Sequence, residues 1–231
     1  MDKAPLSLIS ALNIKPGLTA VVGAGGKTAL IRALCGELSG RARVIVATTT
    51  RIWPPDMPVL KQADEAELSR ALELYHTVCA AEDAQGGKLG PPLLPMETLI
   101  MLADYVFVEA DGAKRLPLKA HAPHEPVLPE CAASVLQVIG ADGLYQTIAE
   151  AAHRPELYAE ALGVTPEHTV TPADAARLLL PYYPVIINKS KGNPEAAQAL
   201  ARLMHHAVLT ELASSDRQVL AVWRDGICSY S

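Results

Sequence analysis

Aromatic side chains are scarce in this chain, at 4%, with a single phenylalanine. A core cannot then rest on stacked rings, and must come from the Ala, Leu, Val and Ile that dominate a 50% hydrophobic composition. That mixture suits helices packed on a buried parallel sheet. Cysteine is sparse as well. Cys35, Cys79, Cys131 and Cys228 stand apart with no C-x-x-C pair, which excludes the usual zinc and thioredoxin-like spacings and reads as buried thiols of a reducing compartment. No apolar run reaches the roughly 20 residues of a membrane span, and Met1-Asp2-Lys3-Ala4-Pro5 lacks the pattern of a secretory signal. The expected location is cytoplasmic. The formal net charge of −5 provides no overall attraction to nucleic acid or an anionic membrane, so neither is an expected partner, although a local basic cleft is compatible with it. His121, His124, His153, His168, His205 and His206 show no metal-ligand spacing and read as loop or surface residues.

What is present is a strand-and-helix alternation. The apolar runs 18–22, 43–48, 105–108, 134–139 and 185–187 read as buried strands, with shorter ones at 77–81 and 218–222. Helical spacing marks 27–38, 63–75 and 96–103. Thr171-Pro172-Ala173-Asp174 and Asn193-Pro194-Glu195 open two more helices with a cap, a proline at the first position and an early acid. The proline- and glycine-rich stretches 53–60 and 84–95 read as loops. Alternation of this kind predicts a three-layer α/β fold with a mostly parallel sheet, and the turn Gly23-Ala24-Gly25-Gly26-Lys27-Thr28 between the first strand and its helix makes the expected fold a P-loop NTPase-like domain. The 231 residues are expected to form a single nucleotide-binding domain over 1–231, with insertions at about 51–100 and 112–133 arching over the site.

The strongest chemical signal is a strand, a glycine-rich turn and a helix at 18–38. Gly23, Ala24, Gly25 and Gly26 would let backbone N–H groups wrap a phosphate, and the helix start adds its dipole. Lys27 would place a positive charge on the β- and γ-phosphates, and Thr28 would offer a hydroxyl to Mg²⁺. Val21 stands where the full Walker spacing requires glycine, so the turn is a shortened G-x-x-G-K-T, similar to the loop of Mur ligases. The bland alternative is a glycine-rich turn followed by an exposed lysine.

Other candidates stand on the same rim of the sheet. Glu109 and Asp111 end the 105–108 strand, where a phosphate site needs an acid for the metal or for the attacking group; otherwise they are two solvated acids. Thr49, in the run Thr48-Thr49-Thr50, is a candidate Mg²⁺ ligand or γ-phosphate sensor, or simply one of three β-branched residues that favour a strand. Asn188 and Lys189 stand where a guanine-reading N-K-x-D would, but Lys191 replaces the acid. The nucleotide, ATP or GTP, stays open, and weak discrimination between them is expected. Lys114, Arg115 and Lys119 would hold an anionic second substrate, or form a solvated basic loop. The roles expected are thus Lys27, Glu109 and Asp111 in catalysis, and Thr28, Thr49 and Asp111 at Mg²⁺. Hydrolysis is the leading reaction; phosphoryl transfer to a small molecule, or a nucleotide-responsive scaffold without turnover, are the alternatives.

Several stretches carry a family resemblance: V-V-G-A-G-G-K-T at 21–28, A-T-T-T-R-I at 47–52, V-E-A-D-G-A-K-R-L-P-L-K at 108–119, H-E-P-V-L-P at 124–129, V-I-G-A-D-G at 138–143, H-R-P-E at 153–156 and I-I-N-K at 186–189. In this order they resemble the YqeC family. The resemblance implies a P-loop NTPase-like protein serving the maturation of a selenium-dependent molybdenum hydroxylase or its cofactor, with such a hydroxylase or a cofactor-maturation protein as partner.

Overall fold

Every apolar run read as a strand forms one in the computed structural model, which describes residues 6–214 and 218–230. Met1–Pro5 lie outside the described residues. The chain opens with α1 (Leu8–Ala11), capped by the Ser7 hydroxyl, which accepts from the Ser10 N–H. β1 (Gly17–Gly23), α2 (Lys27–Leu38) and β2 (Val44–Thr48) follow. Then come β3 (Val59–Leu60), α3 (Glu65–Tyr75), β4 (Thr77–Ala80), the hairpin of β5 (Glu82–Ala84) and β6 (Lys88–Gly90), α4 (Met96–Leu102) and β7 (Tyr105–Glu109). The second half holds β8 (Leu118–Lys119), β9 (Ser134–Gly140), α5 (Ile148–Ala151), β10 (Ala152–His153), α6 (Pro155–Leu162), α7 (Pro172–Leu178), β11 (Val185–Asn188), α8 (Pro194–Ala201), β12 (His206–Thr210), β13 (Val219–Arg224) and β14 (Ile227–Tyr230).

Ten strands form one sheet in the order β14-β13-β12-β11-β9-β1-β7-β2-β4-β3. It is parallel except at the β12-β13-β14 edge. Because both faces are covered, the central strands read as continuous apolar runs and not as alternation. Val21 of β1 packs with α1 and α2 on one face, whereas Ala20 and Val22 face α3 and α4 on the other. The α5–α8 group covers the same second face under β9, β11 and β12. Leu30, Ile31 and Leu34 at helical spacing bury α2 on the sheet, each contributing roughly 1.5–3 kcal/mol of transfer free energy. The fold is α/β with a large, mostly parallel sheet and helices on both faces. Among the described residues no helix is long and apolar enough to cross a membrane.

Three differences from the sequence reading have physical reasons. Val59–Leu60 and Lys88–Gly90 form short strands inside stretches read as loops; two or three residues are too few for a period to show. His206–Thr210 forms β12, which paired β-partners stabilise and which no flanking turn residue announces. The 51–100 segment does not simply arch over the site: β3 and β4 extend the sheet beyond β2. Chain order reverses at β1. From it the chain crosses past β7 to β2 on one side, while β9, β11 and β12 lie on the other. In open α/β sheets a ligand crevice forms at the carboxyl ends of the strands at such a reversal.

Candidate functional site

The turn from β1 into α2 is bound tightly to its neighbours. Gly23 N–H donates to Asp111 Oδ2 at 2.9 Å, Ala24 N–H to the Val138 carbonyl at 2.8 Å and Gly25 N–H to the Leu116 carbonyl at 3.0 Å. At Gly25 (φ +81°) a Cβ would stand 2.2 Å from the Gly140 nitrogen, and at Gly26 (φ +140°) one would stand 2.4 Å from Asn188 Nδ2. These glycines are therefore required by β9 and Asn188, independently of any ligand. Three N–H groups of the turn are thus spoken for. Those of Gly26, Lys27 and Thr28, at the start of α2, have no acceptor among the described residues.

Lys27 lies buried beneath the turn. Its Nζ donates to the Gly23 carbonyl at 2.7 Å and sits 3.1 Å from Asp111 Oδ1 and 3.7 Å from Glu109 Oε1. Glu109 and Asp111 both reach Lys27, as side chains two apart on a strand can, but otherwise they diverge. The Thr28 hydroxyl donates to Glu109 Oε2 at 3.0 Å. Asp111 is enclosed: Lys119 Nζ and His121 Nε2 each lie 3.0 Å from its Oδ2. Burial pushes the Glu109 carboxyl above its ordinary range, against the charge of Lys27 and the Thr28 hydrogen bond. Burial acts the same way on Asp111, but the His121 hydrogen bond, Lys27, Lys119 and the Gly23 N–H outweigh it and hold the carboxyl well below the usual range.

The predicted basic cluster is split. Lys114 and Arg115 are exposed on the wall of the cavity described below, whereas Lys119 is buried in β8 between Asp111 and Glu125, 2.8 Å from the latter. Glu125 is in turn gripped by Arg154, whose two terminal nitrogens each donate to one carboxylate oxygen. Burial raises the Glu125 carboxyl, but Arg154 and Lys119 pull it down to about 2. His153, read as a surface residue, is buried in β10. Burial first, then Arg154 and Lys119, lower its pKa. Glu125, His153 and Arg154 carry no motif by spacing; their only signal was membership in the H-E-P-V-L-P and H-R-P-E stretches.

On the other side of the turn, Asn188 is buried and structural. Its Nδ2 donates to the Gly25 carbonyl at 2.8 Å, and its Oδ1 accepts from Leu212 N–H at 3.1 Å. Lys189, at φ +58°, pairs with Asp142 at 2.6 Å. Glu211, absent from the sequence reading, accepts at its Oε2 from the Lys191 backbone N–H at 3.4 Å. Thr49 points elsewhere: its hydroxyl donates to the Val127 carbonyl. A cavity of about 1550 Å³ joins these parts, lined by Gly25–Thr28, Glu109, Arg51–Pro55, Gly112–Arg115, Arg154, Asn188, Lys189 and Glu211 among others. Among the described residues its wall carries eight lysines and arginines against four glutamates, in a chain whose formal net charge is −5. That local inversion of charge favours an anionic ligand. Among the described residues no three His, Cys, Asp or Glu side chains gather as a metal-binding group.

The profile of the family described as "YqeC protein" matches residues 19–156, the interval from β1 to the Arg154 grip on Glu125. A protein of Escherichia coli (strain K12), described as "Uncharacterized protein YqeC", is 33% identical over 189 residues, covering 78% of this chain and 73% of its own. The chain therefore belongs to the YqeC family.

Proposed function

We propose that this protein binds a Mg²⁺–nucleoside triphosphate at the Gly23–Thr28 turn and hydrolyses it. The observation that carries this reading is the joint placement of Lys27, Thr28 and Glu109 at the start of α2, on the floor of a cation-rich cavity. The donor set fits a hard cation: a hydroxyl and a carboxylate 3.0 Å apart, with phosphate and water supplying the remaining oxygens, as Mg²⁺ prefers. Bound there, the ion would neutralise charge on the β- and γ-phosphates. The N–H groups of Gly26, Lys27 and Thr28 donate to phosphate oxygens, and the Lys27 ammonium exchanges the Gly23 carbonyl for one. We assign Glu109, and not Asp111, to the metal, because Asp111 is enclosed by two lysines and a histidine. Asp111 holds Lys27 beneath the turn. Glu211 brings a carboxylate to the place of the acid that Lys191 displaced, and carboxylate oxygens accept the paired N–H groups of guanine; GTP is accordingly the preferred substrate. We assign the turnover to maturation of a selenium-dependent molybdenum hydroxylase or its cofactor, as the family resemblance implies.

Calorimetric titration with GTP and ATP, with Mg²⁺ and with EDTA, tests this. Lys27→Ala is expected to weaken binding by about 2–5 kcal/mol, and Thr28→Val to remove the gain from Mg²⁺ with an unchanged circular dichroism spectrum. Nucleotide affinity that neither substitution alters would overturn the assignment.

A further inference from the structure

Trp53 is 54% exposed, on the wall of the same cavity. A single exposed ring needs no explanation by itself. This one has a built setting. Ile52 and Leu89 exchange backbone hydrogen bonds of 3.0 and 2.8 Å, which fixes the Arg51–Pro55 segment against β6. The Lys88 ammonium then lies over the Trp53 ring, 5.5 Å from its centre. Arg51 precedes it and Arg32 projects from α2 into the same space. Among the described residues none of Arg32, Arg51 and Lys88 forms an ion pair, whereas Lys27, Lys119, Arg154 and Lys189 all do. An aromatic face with three uncompensated cations is chemistry for a ring that carries negative charge.

Position separates this patch from the nucleotide. Ile52 and Pro55 share a small crevice with Thr28 and Glu109, on the side where the terminal phosphate and metal are assigned. Glu211, assigned to the base, adjoins Leu212, whose N–H is held by Asn188 on the far side of Gly25. The cavity of about 1550 Å³ also exceeds the roughly 300–1,000 Å³ usual for one small ligand. We propose that Trp53, Arg51, Lys88 and Arg32 form a second subsite that takes an anionic small molecule with a planar ring, bound together with the nucleotide at the terminal-phosphate end. Only the statement about the end rests on the reading above; binding of such a molecule does not.

The probe is phenyl phosphate, with cyclohexyl phosphate as its non-aromatic counterpart, added to the full chain. The chain has two tryptophans, and Trp223 is buried at the β13 edge, so emission lost in Trp53→Phe identifies the reporter. Phenyl phosphate is expected to quench Trp53 saturably at millimolar concentrations, alone and with Mg²⁺–GTP present. By calorimetry, Trp53→Ala and the double substitution Arg51→Ala/Lys88→Ala should each weaken it about tenfold, and cyclohexyl phosphate should bind more weakly than phenyl phosphate. The response should survive Lys27→Ala. Binding of phenyl phosphate without any nucleotide binding would leave the subsite standing and remove the nucleotide reading. No saturable quenching, or equal affinity for the two phosphates, would overturn the subsite. Stoichiometric displacement of phenyl phosphate by GTP or ATP would overturn it too, by showing that Trp53 stacks on the nucleotide's own base.

Discussion

Asp111 and Glu109 are two residues apart and meet the same lysine, yet their surroundings give them opposite tasks. Removing the Asp111 charge leaves Lys27 and Lys119 buried without it, and breaking a buried pair from one side costs about 3–5 kcal/mol. Asp111→Asn is expected to lower the unfolding free energy, measured by urea titration, by that much. Glu109→Gln is expected to keep stability within about 1 kcal/mol, since burial already opposes its charge, and to lose the Mg²⁺-dependent part of nucleotide affinity. Equal, small effects of both on stability and on Mg²⁺ dependence would mean that neither acid holds the site. Glu211 is tested by base choice. A site built to accept guanine's N–H groups discriminates strongly while the acceptor is present, so Glu211→Gln should bring a GTP preference of more than about tenfold down toward parity. A native protein that binds ATP and GTP equally would remove Glu211 from the base site.

At the scale of the element, the β1–α2 turn is a piece of the β9 interface as much as a ligand loop. Gly25→Ala would strain a left-handed residue by about 1–3 kcal/mol and press its new carbon on the Gly140 backbone. Gly36 offers a control: it lies within α2, and a Cβ there meets nothing within 4 Å. Gly36→Ala should raise stability by about 0.4–1 kcal/mol. Chemical denaturation of the two variants reads both signs. A neutral Gly25→Ala would show that β9 does not constrain the turn, and the glycine would then belong to ligand binding alone.

Across the whole molecule, the charge network links β7, β8 and the Arg154 turn, and it sets the response to acid. Asp111 and Glu125 titrate below their unfolded values, so the stability they contribute is complete above the ordinary carboxylate range and is lost as pH falls through the folded values. For Glu125 the window runs from near 4.5 down to about 2. Glu109, held above its ordinary range, acts in the opposite sense: its contribution is lost as pH rises. Two depressed carboxyls against this one predict unfolding free energy that falls between pH 5 and pH 2. Arg154→Ala should flatten that fall by releasing Glu125, as measured by urea titration at each pH. An unchanged slope would show that the Glu125 grip is not formed in solution.

By itself the chain of residues determined the central strands, though not β3, β6 or β12, because burial on both faces demands uninterrupted apolar runs such as Val44–Thr48 and Tyr105–Glu109. It determined α2 to the residue, because Leu30, Ile31 and Leu34 recur at helical spacing before Ser39-Gly40. It also placed Lys27, Thr28, Glu109 and Asp111 on one rim, since each follows a strand end or opens a helix. Only the tertiary structure decided their partners. Which acid faces Thr28 and which is enclosed depends on Lys119 and His121, brought in by β8 and the loop after it. Lys119 left the basic cluster for the interior because Asp111 and Glu125 meet there. Glu125, Arg154, Glu211 and Trp53 have no local period or spacing to mark them. Their roles follow from contacts across dozens of residues, and propensity and periodicity, which report only on near neighbours along the chain, carry no information about those.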